Sequence, residues 1–201
     1  MKLQQKYYIE RDTLWIARDL LGKHIFTQLK DGEICSAVIT ETEAYMGATD
    51  KGSHAWNNRR TNRTEIMYKN GGISYIYLCY GIHHLFNVVT SHENIPHAVL
   101  IRGVFPVQGI AYMEKRLNKK PAKHLNGPGK FTKAMGITTQ YNNTSLLGDT
   151  IWIEDRNIQF GQDEILATPR IGIDYAGKDA LLPYRFVIKS EKMMIDKLKQ
   201  C

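Results

Sequence analysis

Cysteine is scarce in this chain of 201 residues: Cys35, Cys79 and Cys201 are the only three. An odd set without a CxxC pair excludes a disulfide framework and a zinc ribbon, and three thiols are too few for an all-cysteine iron–sulfur cluster. Long apolar runs are missing as well. Nowhere does the chain approach the roughly 20 apolar residues that span a bilayer, and the opening MKLQQKYYIERDTLW has no apolar stretch of signal-peptide length. A cytoplasmic protein without a membrane partner is therefore expected. Repeats, low-complexity tracts and linkers are absent too, so 1–201 reads as a single domain. With 43% apolar residues it can bury a core without disulfides or structural metal. Acidic residues are in deficit, 20 Asp and Glu against 27 Lys and Arg, for a net charge of +7. That balance favours a polyanionic partner through phosphate neutralisation, although a generally lysine-rich surface produces the same sum.

What is present reads as an α+β chain. Leu14, Ala17, Leu20 and Leu21 recur at helical spacing after a cap at Asp12 or Thr13 and stop at Gly22. HIFTQL and ICSAVITETEAY are β-rich runs on either side of Lys-Asp-Gly-Glu, in which Asp31-Gly32 signals a hairpin. Strict alternation in the second run places Ile39, Glu41, Glu43 and Tyr45 on one face. A polar loop over 46–62 carries His54, Trp56, Arg59 and Arg60, and a short helix over 62–69 ends at Gly71-Gly72. ISYIYLCY and HHLFNVV, joined through Gly81, and the apolar HAVLIRGVF continue an antiparallel sheet. Helical spacing follows Pro106 through Tyr112, Met113 and Leu117, and another helix is expected from Lys130. Strands near 150–154, 164–173 and 184–189 and a lysine-rich tail complete the chain. The expected fold is a curved antiparallel sheet with flanking helices and a protruding hairpin.

Two features carry chemistry. Tyr75 and Tyr77 share a side with Cys79, while Tyr80 stands beside Gly81 at the hairpin turn. Aromatic tips of this kind wedge into DNA from the minor groove; the competing reading is that the tyrosines pack the sheet with hydroxyls at its rim. Glu43 lies on a strand rich in Val and Ile, where a buried carboxylate is either paired structurally or kept for acid/base work. Other motifs read more plainly. Gly127-Pro128-Gly129 before a helix start offers free N–H groups to a phosphate and has the look of a helix-hairpin-helix turn, but with one helix evident a structural turn is favoured. His83, His84, His92 and His97 cluster without an HExxH motif and with sparse acidic partners, so no metal is expected. Lys115, Arg116, Lys119, Lys120 and Lys123, with Arg59, Arg60 and Arg63, form a candidate phosphate-contacting rim.

The string TETEAYMGATDKGSHA, followed by YIYLCYGIHHLFNVV and VLIRG, resembles the alkyladenine (3-methyladenine) DNA glycosylase family. The resemblance runs from about Leu20 to Leu117, resumes at LNGPGKFTKAMGI and at TPRIGIDYAGK and PYRF, and is weakest over 138–167. ETEAY, a distant His, YGxxxxxN and LxR in this order are far more specific than a short motif. The resemblance implies that Glu43 is the general base that activates water and that Tyr45, His54 and Tyr77 wall a pocket for an extruded base. It also implies that Tyr80 fills the gap left in the duplex, that Asn87 lies under the purine 2-position, and that Arg102 sits near the flipped nucleotide's backbone and the water. Implied substrates are 3-methyladenine, 7-methylguanine, hypoxanthine and ethenoadenine in double-stranded DNA, with no cofactor. The protein is expected to act as a monomer and, when bound to DNA, to be associated with the nucleoid. With no lysine in the aromatic constellation to form a Schiff base, strand-cleaving lyase activity is not expected. The rival readings are a non-catalytic minor-groove binder and a helix-hairpin-helix glycosylase, the latter needing a mostly helical chain.

Overall fold

A computed structural model describes residues 1–29, 32–121 and 124–199; Lys30 and Asp31 of the expected hairpin turn, Lys123 of the candidate rim and Cys201 lie outside the described residues. The chain opens with a helix that periodicity did not flag, α1 (Gln5–Ile9), which buries Tyr8. Helix α2 (Thr13–Asp19) starts as its sequence dictates: the Asp12 carboxylate accepts from the N–H groups of Leu14 and Trp15 at 2.9 and 3.1 Å, a cap worth about 1 kcal/mol. Strands β1 (His24–Gln28), β2 (Ile34–Tyr45), β3 (Ser74–Cys79), β4 (His83–Thr90) and β5 (His97–Gln108) follow. Then come α3 (Ile110–Leu117), β6 (Leu125–Asn126), α4 (Pro128–Met135), β7 (Ile151–Glu154), β8 (Ile165–Thr168), β9 (Arg185–Ile188) and α5 (Glu191–Leu198).

Every strand pairing is antiparallel, in the order β3-β4-β5-β2-β1-β7, with β6 on β5 and β9 bridging β2 and β8. The long β2 is the spine. One edge pairs with β5 over most of its length; the other serves β1 first and β9 over Glu41–Glu43. Register shifts against β5 on both sides of Glu41 bend β2, as bulges do, and the curved sheet expected from the sequence results. The bulge also corrects one expectation. Ile39 does not share the face of Glu41, Glu43 and Tyr45, because the unpaired Thr40 breaks the alternation; Ile39 is fully buried in the main core.

Alternation sorts the central strands into two faces. Ile76, Phe86, Val88, Val99 and Ile101 point into the main core, where Phe86 meets Phe131 of α4 edge to face at 6.2 Å. Each such fully buried apolar side chain contributes about 1.5–3 kcal/mol. Tyr75, Tyr77, Leu85, Asn87, Ala98, Leu100 and Arg102 point the other way and line a cavity. A smaller cluster of Ala55, Met67, Tyr68, Tyr75, Val89 and Ala98 supports that second face.

Element boundaries depart from the sequence reading where local chemistry competes with periodicity. The expected helix over 62–69 is a single 3₁₀ turn at Glu65–Tyr68. β5 continues through Pro106 to Gln108, because the register slips at Pro106 and spares its missing N–H a ladder role. α4 begins at Pro128, the first-turn position that proline tolerates, rather than at Lys130. β8 stops at Thr168, ahead of Pro169, so the expected strand to 173 becomes a loop that faces the cavity. The lysine-rich tail is helix α5, capped by the Ser190 hydroxyl and anchored by buried Met194. Among the described residues no helix is long and apolar enough to cross a membrane.

Candidate active site

The cavity of about 590 Å³ falls in the range of small-molecule sites. Tyr45, His54, Tyr77, Tyr80, Asn87 and Arg102 all line it, and Glu43 is fully buried in direct contact with Tyr45 and Arg102. Residues that the sequence disperses over some sixty positions thus meet because β2, β3, β4 and β5 are neighbours.

Glu43 is held on three sides. Its Oε1 accepts the Ile171 N–H at 2.9 Å and lies 3.4 Å from Arg102 Nε, while Oε2 accepts the Tyr45 hydroxyl at 2.8 Å. Burial pushes its pKa above the ordinary glutamate value; Arg102, the Ile171 N–H and the Tyr45 hydroxyl pull against that shift without cancelling it. Arg102 Nε also donates to Glu41 Oε1 at 3.0 Å, and Arg185 Nε reaches the same oxygen at 2.7 Å. Two carboxylates and two guanidiniums therefore form one chain, Glu43–Arg102–Glu41–Arg185. Glu41 and Arg185 are not among the expected site residues; the double acidic spacing in TETEAY is the signal that could have found Glu41, and the family-like segment PYRF the one that could have found Arg185.

The aromatic residues fall into two groups. His54 and Tyr77 meet edge to face at 4.6 Å, and Tyr75 stands behind them, its hydroxyl 2.9 Å from His54 Nδ1. Arg63 lies over the Tyr77 ring at 4.7 Å and points a guanidinium nitrogen at His54 Nε2, 3.4 Å away. Because Arg63 can only donate, Nε2 is the acceptor and Nδ1 carries the hydrogen that faces Tyr75. Burial, with Arg63 and Arg59 nearby, lowers the His54 pKa to about 4, so the ring is neutral at physiological pH. Tyr45 is held separately, its hydroxyl on Glu43 and its ring covered by Arg170 at 4.7 Å.

At the mouth, Tyr80 is 89% exposed and occupies the left-handed region with φ 50°, followed by Gly81 at φ 72°. The Ile82 N–H closes the turn on the Cys79 carbonyl at 3.1 Å. Two positive-φ residues give the turn that matches strand twist, and tyrosine in that conformation is strained. Leu78 and Ile82 beside it are also exposed. Asn87, by contrast, is buried on the floor, its amide nitrogen donating to the Tyr75 and Leu85 carbonyls at 3.0 and 3.4 Å.

The secondary motifs resolve differently. Gly127–Lys130 at the start of α4 also lines the cavity, so a lysine does stand at its edge, exposed and outside the aromatic group. The four histidines are dispersed: His97 bonds Thr13 and Ser91, and His84 receives the Thr139 N–H. Among the described residues no group of three His, Cys, Asp or Glu side chains is arranged as a metal site. Of the candidate rim, Arg60 is bound to Glu65 through both carboxylate oxygens and Arg116 to the Ala134 carbonyl, which gives each a structural partner. Arg63 belongs to the pocket itself.

Comparison with known proteins gives the chain a family. Residues 7–192 match the family model described as methylpurine-DNA glycosylase (MPG). A protein of Chlamydia felis named "Putative 3-methyladenine DNA glycosylase" is 45% identical over 194 residues, covering 94% of this chain and 97% of its own length. Proteins with the same name from Alkaliphilus oremlandii, 43% identical over 94% of this chain and 96% of theirs, and Bacillus cereus, 43% identical over 89% and 92%, are similarly close. The chain belongs to the methylpurine-DNA glycosylase family, a family of DNA N-glycosylases.

Proposed function

We propose that this protein flips an alkylated or deaminated purine out of duplex DNA and hydrolyses its N-glycosidic bond with a water activated by Glu43, leaving an abasic site. The observation that carries the reading is a fully buried carboxylate beside an aromatic-walled cavity whose mouth bears an exposed tyrosine on a strained turn. A base inside a stacked duplex is out of reach, so extrusion at a cost of a few kcal/mol comes first. Tyr80 takes the vacated place in the stack. The purine enters the slot between Tyr45 and the His54–Tyr77 pair, with its 2-position toward Asn87. A neutral His54 matters here, because an imidazolium would repel the cationic 3-methyladenine and 7-methylguanine; hypoxanthine and ethenoadenine use the same slot.

Glycosidic cleavage develops positive charge on the sugar, and one carboxylate can both stabilise that charge and take a proton from the attacking water. Glu43 fits both tasks, since Ile171 and Tyr45 fix its oxygens while burial keeps it basic. Arg102, anchored on Glu41, attends the nucleotide backbone and the water. The partner is double-stranded DNA, the working unit is a monomer, and the enzyme is monofunctional: Lys130 is exposed at the edge of the cavity and outside the aromatic group that takes the base.

The test is single-turnover incubation with duplexes containing hypoxanthine or 3-methyladenine, followed by alkali. Strand breaks that appear only after alkali are expected, with no borohydride-trapped protein–DNA adduct. Intact glycosidic bonds on both lesions overturn the reading, and a trapped adduct lost in Lys130→Ala overturns the monofunctional assignment alone.

A further inference from the structure

Behind Tyr45 lies a buried ion pair with no place in the chemistry described so far. Arg170 and Asp50 are 0% and 2% exposed as side chains, and they join through both arms: Nη1 to Oδ2 at 2.5 Å and Nη2 to Oδ1 at 2.7 Å. Arg170 also donates to the Ala44 carbonyl at 3.0 Å and to the Asp179 carbonyl at 3.3 Å, and its guanidinium lies 4.7 Å from the Tyr45 ring and 5.4 Å from the Tyr184 ring. Asp50 in turn accepts the N–H groups of Met46 and Gly52. Three pieces of chain are thereby tied to the backbone between Glu43 and Tyr45. Replacing a buried ion pair by packed apolar residues is often neutral or stabilising, and here Arg170 Nε finds no hydrogen-bond partner among the described residues. Stability alone therefore does not account for the pair. Its neighbour does: the next residue, Ile171, is half exposed, yet its N–H sits on Glu43 Oε1.

We propose that Arg170, clamped by Asp50, is a positioning residue that holds the 170–171 backbone so that the Ile171 N–H stays on Glu43 and the Tyr45 ring keeps its place. Arginine is required because one planar fork serves two carboxylate oxygens and two carbonyls at once, which a lysine point charge cannot do. The consequence for excision rests on the reading of Glu43 as the base; the clamp itself is measurable without it.

The decisive variant is Arg170→Lys, which keeps a positive charge opposite Asp50 and loses the fork. The other groups facing Glu43 stay in place: Arg102 from β5, Glu41 and Tyr45 from β2, Arg185 from β9 and Tyr77 from β3. NMR on protein labelled with ¹⁵N and with ¹³C in glutamate carboxyls follows the Ile171 amide and the Glu43 carboxyl against pH. In the wild type both move together. In Arg170→Lys the Ile171 amide loses its downfield, pH-dependent shift, and Glu43 titrates at higher pH because a donor to its charged form is gone. Ile153→Val, a core substitution on β7, lowers the Tm and moves neither signal. Single-turnover excision by Arg170→Lys falls about 10- to 100-fold, the scale of an ångström misplacement, while lesion binding changes less than excision. Unchanged Ile171 and Glu43 signals in a folded variant overturn the proposal; if Arg170→Lys does not fold, Asp50→Asn decides by the same criterion. Persistent excision by Glu43→Gln removes Glu43 as the base but leaves the NMR result to decide the clamp.

Discussion

Glu43 on β2 and Asn87 on β4 are both direct cross-strand neighbours of Leu100 on β5. The same register line extends to Tyr75 on β3 and to Arg185 on β9. Directly opposed residues share a face of the sheet, and two strand spacings come to about 10 Å. The sheet therefore presents a carboxylate and an amide at a fixed separation, with an apolar floor between them. Such a separation is set by the backbone ladder, so it survives changes in the side chains around it. The proposed roles of Glu43 and Asn87 are then separable by mutation.

Glu43→Gln removes the base and keeps the shape. Excision is expected to fall by at least about 10²-fold, the usual contribution of a general base, while binding to a lesion duplex persists. Stability should move the other way. Glu43 has a folded pKa above its unfolded value, so the folded state holds the extra proton and stability falls as pH rises from the ordinary glutamate value through the raised one. Above that window the wild type carries the full penalty of a buried charge, and Glu43→Gln melts at or above the wild-type temperature. Thermal melts at pH 4 and pH 8 check this: the relative gain of the variant must appear at the higher pH.

The same shift dictates the acid limb of the rate profile. A base must be deprotonated, and burial raises the pH at which Glu43 loses its proton. Single-turnover rates on a neutral lesion such as hypoxanthine should therefore decline below a midpoint higher than that of an ordinary glutamate. His54 does not set this limb, since its pKa is lowered to about 4. A profile flat down to pH 4.5 contradicts Glu43 as the base.

Period-two alternation makes the tyrosine hairpin and the carboxylate strand of this cavity legible in the sequence, whereas His54, Asn87 and Arg102 are singled out by the family resemblance alone. Tyr75, Tyr77 and Cys79 alternate onto the cavity as period two requires, and Tyr80-Gly81 reads as a turn because the residues beside it are strand formers. The acidic pair in TETEAY is visible, but the bulge at Thr40 is not, so strict alternation puts Ile39 on the wrong face. Illegible were the partners that arrive from afar. Ile171 reaches Glu43 across 128 positions, and it does so through a backbone N–H, which no side-chain pattern encodes. Arg170 and Asp50 each stand in a family-like segment, but nothing in the sequence says that these two charges, 120 positions apart, pair with each other. Helix α5 is short, and its apolar stripe of Met194, Ile195 and Leu198 is hidden in a segment that reads first as a lysine-rich tail.

Tyr80 offers a variant in which fold and function separate. Its φ of 50° is costly for tyrosine and free for glycine, so Tyr80→Gly should retain the hairpin. What it loses is a ring to fill the stack, worth about 1–3 kcal/mol. Flipping, read by 2-aminopurine fluorescence beside the lesion, is expected to weaken, most for lesions in stable pairs. Equal fluorescence changes in both proteins would falsify the plug assignment.

The net charge of +7 predicts that binding to undamaged duplex is electrostatic. The logarithm of the association constant should fall with log salt by about 0.9 per phosphate contacted. Arg59→Ala and Lys130→Ala are expected to reduce that slope, whereas Arg116→Ala is not, since Arg116 is spent on the Ala134 carbonyl. A slope unaffected by Arg59 and Lys130 moves the DNA to another face.

The proposed orientation of the purine makes Asn87 the residue expected to select against normal guanine. Both bonds of its amide nitrogen go to backbone carbonyls; turning the amide over would set its oxygen against those two oxygens, so the side chain cannot rotate aside. Adenine-derived lesions and hypoxanthine carry only hydrogen at the purine 2-position, whereas guanine carries an amino group. In the buried slot that group meets a fixed amide or gives up its water without a new partner, at a cost of about 1–3 kcal/mol. Normal adenine escapes by a different filter, its secure pairing and a leaving group poorer than cationic 3-methyladenine. Asn87→Ser opens the floor and should raise excision of guanine relative to hypoxanthine, each opposite the same base, with Glu43-dependent chemistry intact. The change also leaves the Tyr75 carbonyl short of a donor, so a lower melting temperature is expected and the comparison must be a ratio of single-turnover rates in one protein. A folded Asn87→Ser variant with an unchanged ratio means that guanine is rejected before it reaches the floor, and the orientation of the purine between Tyr45 and Tyr77 would then have to be reversed.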